Sequence, residues 1–284
     1  MCGIAGVYIT SPKGHEHHEY MKDNFSALLV AAQVRGTDAA GVFVLKKGKT
    51  QFLKSAGKAK RFIDTPAYAE LLSHVGKRTT ALVGHTRNAT TGSPSDNSNN
   101  HPIWDNPIIG VHNGILTNHV ELDAKYQSVA EVDSAAGIAA IRSQVSDRTR
   151  LTKRKIADAL EDVKGVYTFV VGDVRTGELF VARNTNPIVY YHDTEHGLLW
   201  FASTEAIMEK AFPKAKCDTQ GQYTVRQLLP DGSPEKAYKS ASIKHEEPKE
   251  YRATESCYVP LKYRLTSPYE PYRVWKEDAT DNMS

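Results

Sequence analysis

Met1-Cys2-Gly3-Ile4-Ala5-Gly6 opens the chain, a cysteine in second position leading into a short apolar run with two glycines. A small second residue lets aminopeptidase remove Met1, which predicts Cys2 as the mature N-terminus. One residue then carries both a thiol nucleophile and its own base. A free thiol titrates near ~8.5 and an α-amino group near ~7.7–8.0, so close to neutrality the amine can take the thiol proton. Read alone, Cys2 is better explained as a small apolar residue at the start of a strand. The rest of the chain shifts that balance.

The 284 residues suit one large domain with an extension. With 40% hydrophobic and 24% charged residues the composition is that of a soluble globular protein, and no apolar stretch reaches membrane-spanning length. Residues 1–10 lack the features of a secretory signal. A net charge of +3 without a dense basic stripe argues against nucleic acid. Lys46, Lys47, Lys49 and Lys54 surround a Lys-Gly turn and read as a solvated hairpin. Cys2, Cys217 and Cys257 are an odd set without metal-ligand spacing. They point to a reducing, cytoplasmic setting and to no disulfide framework. His15, His17 and His18 share a loop with no second ligand cluster, so neither a metal nor a cofactor is expected.

Strands are predicted at 3–9, 41–46, 50–54, 81–84 and 108–112, with helices at 19–34 and 59–74. Helices over 117–125, 133–145 and 152–162 precede a second strand series at 166–172, 178–183, 188–192 and 198–202. A helix from Thr204 to Ala211 and a strand near 222–228 close the regular part. Residues 2–230 therefore read as one domain. Residues 231–284, rich in Lys, Glu, Pro, Ser and Tyr, read as an extension that wraps it or docks a partner. Strands on both sides of a helical middle predict an α+β layered sandwich.

Five segments stand out beside Cys2. Arg35-Gly36-Thr37-Asp38-Ala39-Ala40-Gly41 joins a helix to a strand, and Gly84-His85-Thr86-Arg87-Asn88-Ala89-Thr90-Thr91-Gly92 ends a buried one. An arginine there suits bidentate capture of a carboxylate. Asn99-Asn100-His101-Pro102 closes a polar loop. Val111-His112-Asn113-Gly114-Ile115 places an amide side chain beside an unhindered N–H where a strand meets a turn, a ready oxyanion hole. Asp133, in Glu131-Val132-Asp133-Ser134, could cap the next helix. Each has a plain structural reading when taken alone. Together they offer a nucleophile, an oxyanion hole, a cation for an α-carboxylate and an anion for an α-ammonium, the needs of glutamine hydrolysis.

This set resembles the class II glutamine amidotransferases and is most similar to the glutaminase half of glucosamine-6-phosphate synthase. Phe201-Ala202-Ser203-Thr204-Glu205-Ala206 also matches a late family segment. The resemblance implies a four-layer αββα sandwich of the N-terminal-nucleophile hydrolase type. It implies Cys2 as nucleophile, with Asn113 and Gly114 as the oxyanion hole. Arg87 would hold the substrate carboxylate, Asp133 its α-amino group, with Thr90 in the same pocket and Arg35 supporting the cysteine. Departures fall at Asn88, where the synthase carries tryptophan, and at Thr91, where it carries histidine. With about fifty residues after the domain, the expected role is a stand-alone glutaminase subunit releasing ammonia for a separate synthetase. Hydrolysis of a γ-glutamyl amide in a larger metabolite is the alternative, and a non-catalytic binding module a third reading.

Overall fold

The computed structural model describes residues 2–230 and the backbone of Tyr238–Lys239. Its strands are β1 (Gly3–Ile9), β2 (Ala39–Lys46), β3 (Gln51–Ala56), β4 (Thr79–Arg87), β5 (Ile103–Asp105), β6 (Ile108–Leu116), β7 (Gly165–Asp173), β8 (Glu178–Arg183), β9 (Val189–Asp193), β10 (Leu198–Ala202), β11 (Cys217–Thr219), β12 (Thr224–Leu228) and β13 (Tyr238–Lys239). Its helices are α1 (His18–Ala32), α2 (Ala59–Ile63), α3 (Pro66–Ser73), α4 (His119–Tyr126), α5 (Asp133–Arg142), α6 (Lys153–Leu160) and α7 (Glu205–Ala211).

The strands form two antiparallel sheets, ordered β11-β9-β10-β1-β4-β2-β3 and β13-β12-β8-β7-β6-β5. Alternate side chains of a strand point to opposite faces. In β1, Ala5, Val7 and Ile9 join a core with Phe25, Leu28 and Leu29 of α1. Ile4 and Tyr8 turn the other way, into a core with Val111 of β6 and Val181 of β8. A third core lies outside the second sheet, where Ile138 of α5 and Ile156 of α6 meet Phe169 of β7. Three cores between four layers make an α+β sandwich of αββα type. Both faces of the sheets are covered, which is why the strands read as continuous apolar runs rather than alternating ones.

Three expectations need correction. The helix predicted over 59–74 is two helices, α2 and α3, because Pro66 cannot continue the first and starts the second, with the Thr65 hydroxyl accepting from Tyr68 N–H at 3.2 Å. The strand predicted to end in a turn at Asn113-Gly114 runs on to Leu116, since Gly114 pairs with Tyr167 of β7. Lys54 is not on a solvated hairpin but 8% exposed, its ammonium donating to Asn100 O at 2.7 Å and Pro102 O at 2.9 Å. The short strands β5, β11 and β13 were not legible in the sequence. Apart from β13, which pairs with β12, the 231–284 extension and Cys257 lie outside the described residues. Among the described residues no helix is long and apolar enough to cross a membrane.

Candidate active site

Strand register assembles the site. Gly3 of β1 lies opposite Thr86 of β4, and Ala39 of β2 opposite Arg87. The start of β1, the end of β4 and the start of β2 therefore meet at one end of the first sheet. Two glycines permit that approach. A Cβ on Gly3 would sit 2.5 Å from Ala32 O at the end of α1, and one on Gly36 would sit 2.4 Å from the Arg87 carbonyl carbon. Neither position can take a side chain without displacing backbone.

Cys2 is held by main chain at this junction. Its Sγ accepts from Asn88 N–H at 3.4 Å and faces Asn88 O at 3.6 Å. Arg35 Nε donates to Cys2 O at 2.7 Å. Because Asn88 contributes only backbone to these bonds, the residue type at 88 is free as far as the thiol is concerned. Burial pushes the Cys2 thiol above its ordinary pKa. The Asn88 hydrogen bond and the Arg87 charge pull it back in part, and Asp133 adds to the rise. Arg87 and Asp133 thus both act on the sulfur's charge from nearby. Held as a thiol, Cys2 needs a base.

Arg87 is buried, yet three of its N–H groups already have partners. Nη1 donates to Asn100 Oδ1 at 2.8 Å, while Nη2 donates to Gly92 O at 2.9 Å and to Thr91 O. The guanidinium thereby shapes the 91–100 loop, and two of its five donors are left over. Asp38 fixes the neighbouring turn, its Oδ2 accepting from Ala89 N–H at 2.8 Å. Thr90 is exposed in that turn and joins none of these bonds.

The second sheet supplies Asn113 and Gly114 from β6. Asn113 is fully buried, and its Oδ1 has no partner among the described residues. Its Nδ2 lies 3.3 Å from Ser203 Oγ, which also accepts from Ile4 N–H at 2.8 Å. Ser203 therefore ties Asn113 to the strand that begins beside Cys2. Asn186 Nδ2 secures the Asn113 carbonyl at 2.7 Å. Gly114 has φ +152°, and a Cβ there would lie 1.8 Å from Val166 O. Asp133 opens α5, where Oδ2 accepts from Leu116 N–H at 2.9 Å and Oδ1 from Ser134 N–H at 2.8 Å. Val132, not Asp133, is the N-cap of α5, so the cap expected of Asp133 is not made; its carboxylate instead clamps the end of β6 from the first position of the helix.

Cys2 and Arg35 are thus bonded to each other at the start of β1, and Arg87 and Asp133 act on the Cys2 thiol by charge. Asn113 is joined through Ser203 to Ile4 of β1, while Thr90 joins none of these bonds. Ser203, Asn186, Asn100 and Asp38 are supports that sequence reasoning did not assign. Ser203 had a signal, its place in the matching 201–206 segment, but no role could be read from it. Among the described residues no group of three or more His, Cys, Asp or Glu side chains is placed to hold a metal.

Residues 85–210 match the glutamine amidotransferase domain family. Glutamine–fructose-6-phosphate aminotransferase of Streptococcus agalactiae is 29% identical over 197 residues, which is 66% of this chain and 30% of that protein. 7-Cyano-7-deazaguanine synthase 2 of Sulfurisphaera tokodaii is 26% identical over 212 residues, covering 72% of this chain and 44% of that protein. The chain thus spans less than half the length of these relatives. Glutamine phosphoribosylpyrophosphate amidotransferase of B. subtilis shares the fold, with a TM-score of 0.62 and 20% identity over 81% of this chain and 48% of that one. On the motif set, the family match and the αββα architecture, the chain carries a class II glutamine amidotransferase domain.

Proposed function

We propose that Cys2, with Met1 removed, hydrolyses the side-chain amide of glutamine. The observation that carries this reading is the seating of the Cys2 thiol on the Asn88 main chain beside Arg87, with Asn113 bonded through Ser203 to the same strand. The α-amine accepts the thiol proton, and sulfur attacks the amide carbon to give a tetrahedral oxyanion. Asn113 Nδ2 and Gly114 N–H stabilise that charge. Collapse expels ammonia, which takes its proton back from the α-ammonium, and leaves a thioester. Water then attacks the thioester and releases glutamate and the thiol.

The Asn113 carboxamide has two orientations about its last bond. In the catalytic one Oδ1 accepts the Ser203 O–H, whose oxygen keeps the Ile4 N–H, and Nδ2 becomes the unpartnered buried group. A buried donor awaiting an anion is what an oxyanion hole requires. Arg87 offers its two remaining donors to the substrate carboxylate, with Thr90 beside it, and Asp133 receives the α-ammonium. Arg35 holds the Cys2 carbonyl so that the amine stays near the sulfur.

The ammonia is passed to a separate synthetase. What supports this is that an aminotransferase and a deazaguanine synthase, proteins of unlike acceptor chemistry, share this unit with the chain. Glutaminase chemistry is thus separable from the acceptor's. The test is ammonia release from glutamine by the full chain, alone and with co-purifying proteins, alongside its intact mass. Slow release that a partner accelerates, by protein lacking Met1, supports the reading. Full activity with Met1 retained overturns the mechanism, and turnover only of a larger γ-glutamyl amide overturns the substrate.

A further inference from the structure

A second cleft, of ≈ 850 Å³, lies between the outermost strands of the two sheets, β3 of the first and β5 of the second. Its chemistry is distinct from that of the Cys2 site. Lys46, Lys49 and Arg78 line it, and among the described residues none of them pairs with a carboxylate. Arg175, also in the wall, is already neutralised by Asp173 at 2.8 Å. Lys46 donates to the His74 carbonyl, and its ammonium is held below the ordinary lysine range by burial and then by repulsion from Lys49 and Arg78. Cations gathered without counter-charge favour an anion between them.

A further feature narrows the ligand. Phe52 and Trp104 meet across the strand edges with ring centroids 5.6 Å apart and planes tilted by 31°, an aromatic pair in the cleft wall. The cleft therefore asks for a planar ring and a cluster of negative charge in one molecule.

We infer that the cleft binds a nucleoside diphosphate, its base against Phe52 and Trp104 and its phosphates on Lys46, Lys49 and Arg78. This occupant lies against the loop that serves the Cys2 site. Asn97 and Ser98 are part of the cleft wall, and Lys54, in the same wall, holds the carbonyl of Asn100. The Asn100 side chain in turn receives Arg87. The inference does not depend on the glutaminase reading, since nothing in it uses Cys2.

Calorimetric titration of the full chain with ADP and GDP tests it. Saturable one-to-one binding is expected. Both adenosine, without phosphates, and pyrophosphate, without a ring, should bind at least about tenfold more weakly than ADP. The double substitution Lys49→Glu with Arg78→Glu changes two exposed side chains and should weaken ADP by a similar factor. Trp104→Leu should weaken ADP while leaving pyrophosphate binding as it was. No saturable binding of either nucleotide, unchanged affinity in the double variant, or pyrophosphate bound as tightly as ADP would each overturn the assignment.

Discussion

Cys2 is part-buried and its thiol is bonded only to main chain, with no histidine partner among the described residues, so charge and proton traffic set its reactivity. Burial raises its pKa, which keeps sulfur protonated near neutrality unless a base is at hand. Cys2→Ala should therefore abolish ammonia release from glutamine, whereas Cys217→Ala, on the edge strand β11, should leave it nearly intact. The same raised pKa predicts that labelling of the Met1-retaining chain by iodoacetamide keeps accelerating above the pH at which free cysteine has levelled off. Stopped-flow labelling across pH would show it, and a plateau near pH 8.5 would contradict it. At the proposed oxyanion hole, Asn113→Ala should lower kcat by about 10²–10³ with little change in KM. Ser203→Ala leaves the amide in place but unanchored, so a smaller loss confined to kcat is expected, with Ser203→Thr retaining most activity. A Ser203→Ala effect on KM alone would remove Ser203 from this role.

Among the elements, β6 shows most plainly what a sequence conceals. Asn113-Gly114 has the composition of a turn, and in isolation a turn is the sound reading. Nine residues of β7 instead pair with β6 straight through it, and that pairing is a long-range choice no local propensity records. The strand tolerates the site because residue 114 is glycine, at φ +152° and with no room for a Cβ. Gly114→Ala should accordingly cost about 2–4 kcal/mol in urea-unfolding stability and lower kcat as its N–H shifts. The first strand, the α1 helix and the motif segments were legible because periodicity and spacing are local. The supporting hydrogen bonds of Ser203, Asn186 and Asn100 were not, since they join residues 73 to 199 positions apart or close a loop around a guanidinium. Lys54 was misread for a related reason. A lysine close to a Lys-Gly turn looks exposed until the 100–102 segment folds over it.

For the whole molecule, the two sheets are joined not only by an apolar core but by buried imidazoles. His85 of β4 reaches across the layers to β6, with its Nε2 3.0 Å from the His112 carbonyl oxygen, while the His112 ring lies on the outer face of β6, stacked on Phe169. His101 packs on His85 with ring centroids 3.9 Å apart and planes tilted by 35°, and His112 Nδ1 is 2.9 Å from Ser134 Oγ at the start of α5. Burial lowers the pKa of all three, that of His85 to about 3, so the folded protein keeps them neutral. In the unfolded chain each titrates near ~6.5. Between these values the unfolded state binds more protons than the folded one, so stability rises with pH across this window and is lost as pH falls through it. Each such group contributes a slope of about 1.4 kcal/mol per pH unit, so His85 alone removes roughly 2 kcal/mol between pH 6.5 and pH 5. Urea midpoints measured at pH 7, 6 and 5 should decline steeply, and His85→Gln, whose amide cannot be protonated in this range, should flatten the decline even if it lowers stability at pH 7. Equal pH dependence in wild type and His85→Gln would mean that His85 does not set the acid limit of the sandwich.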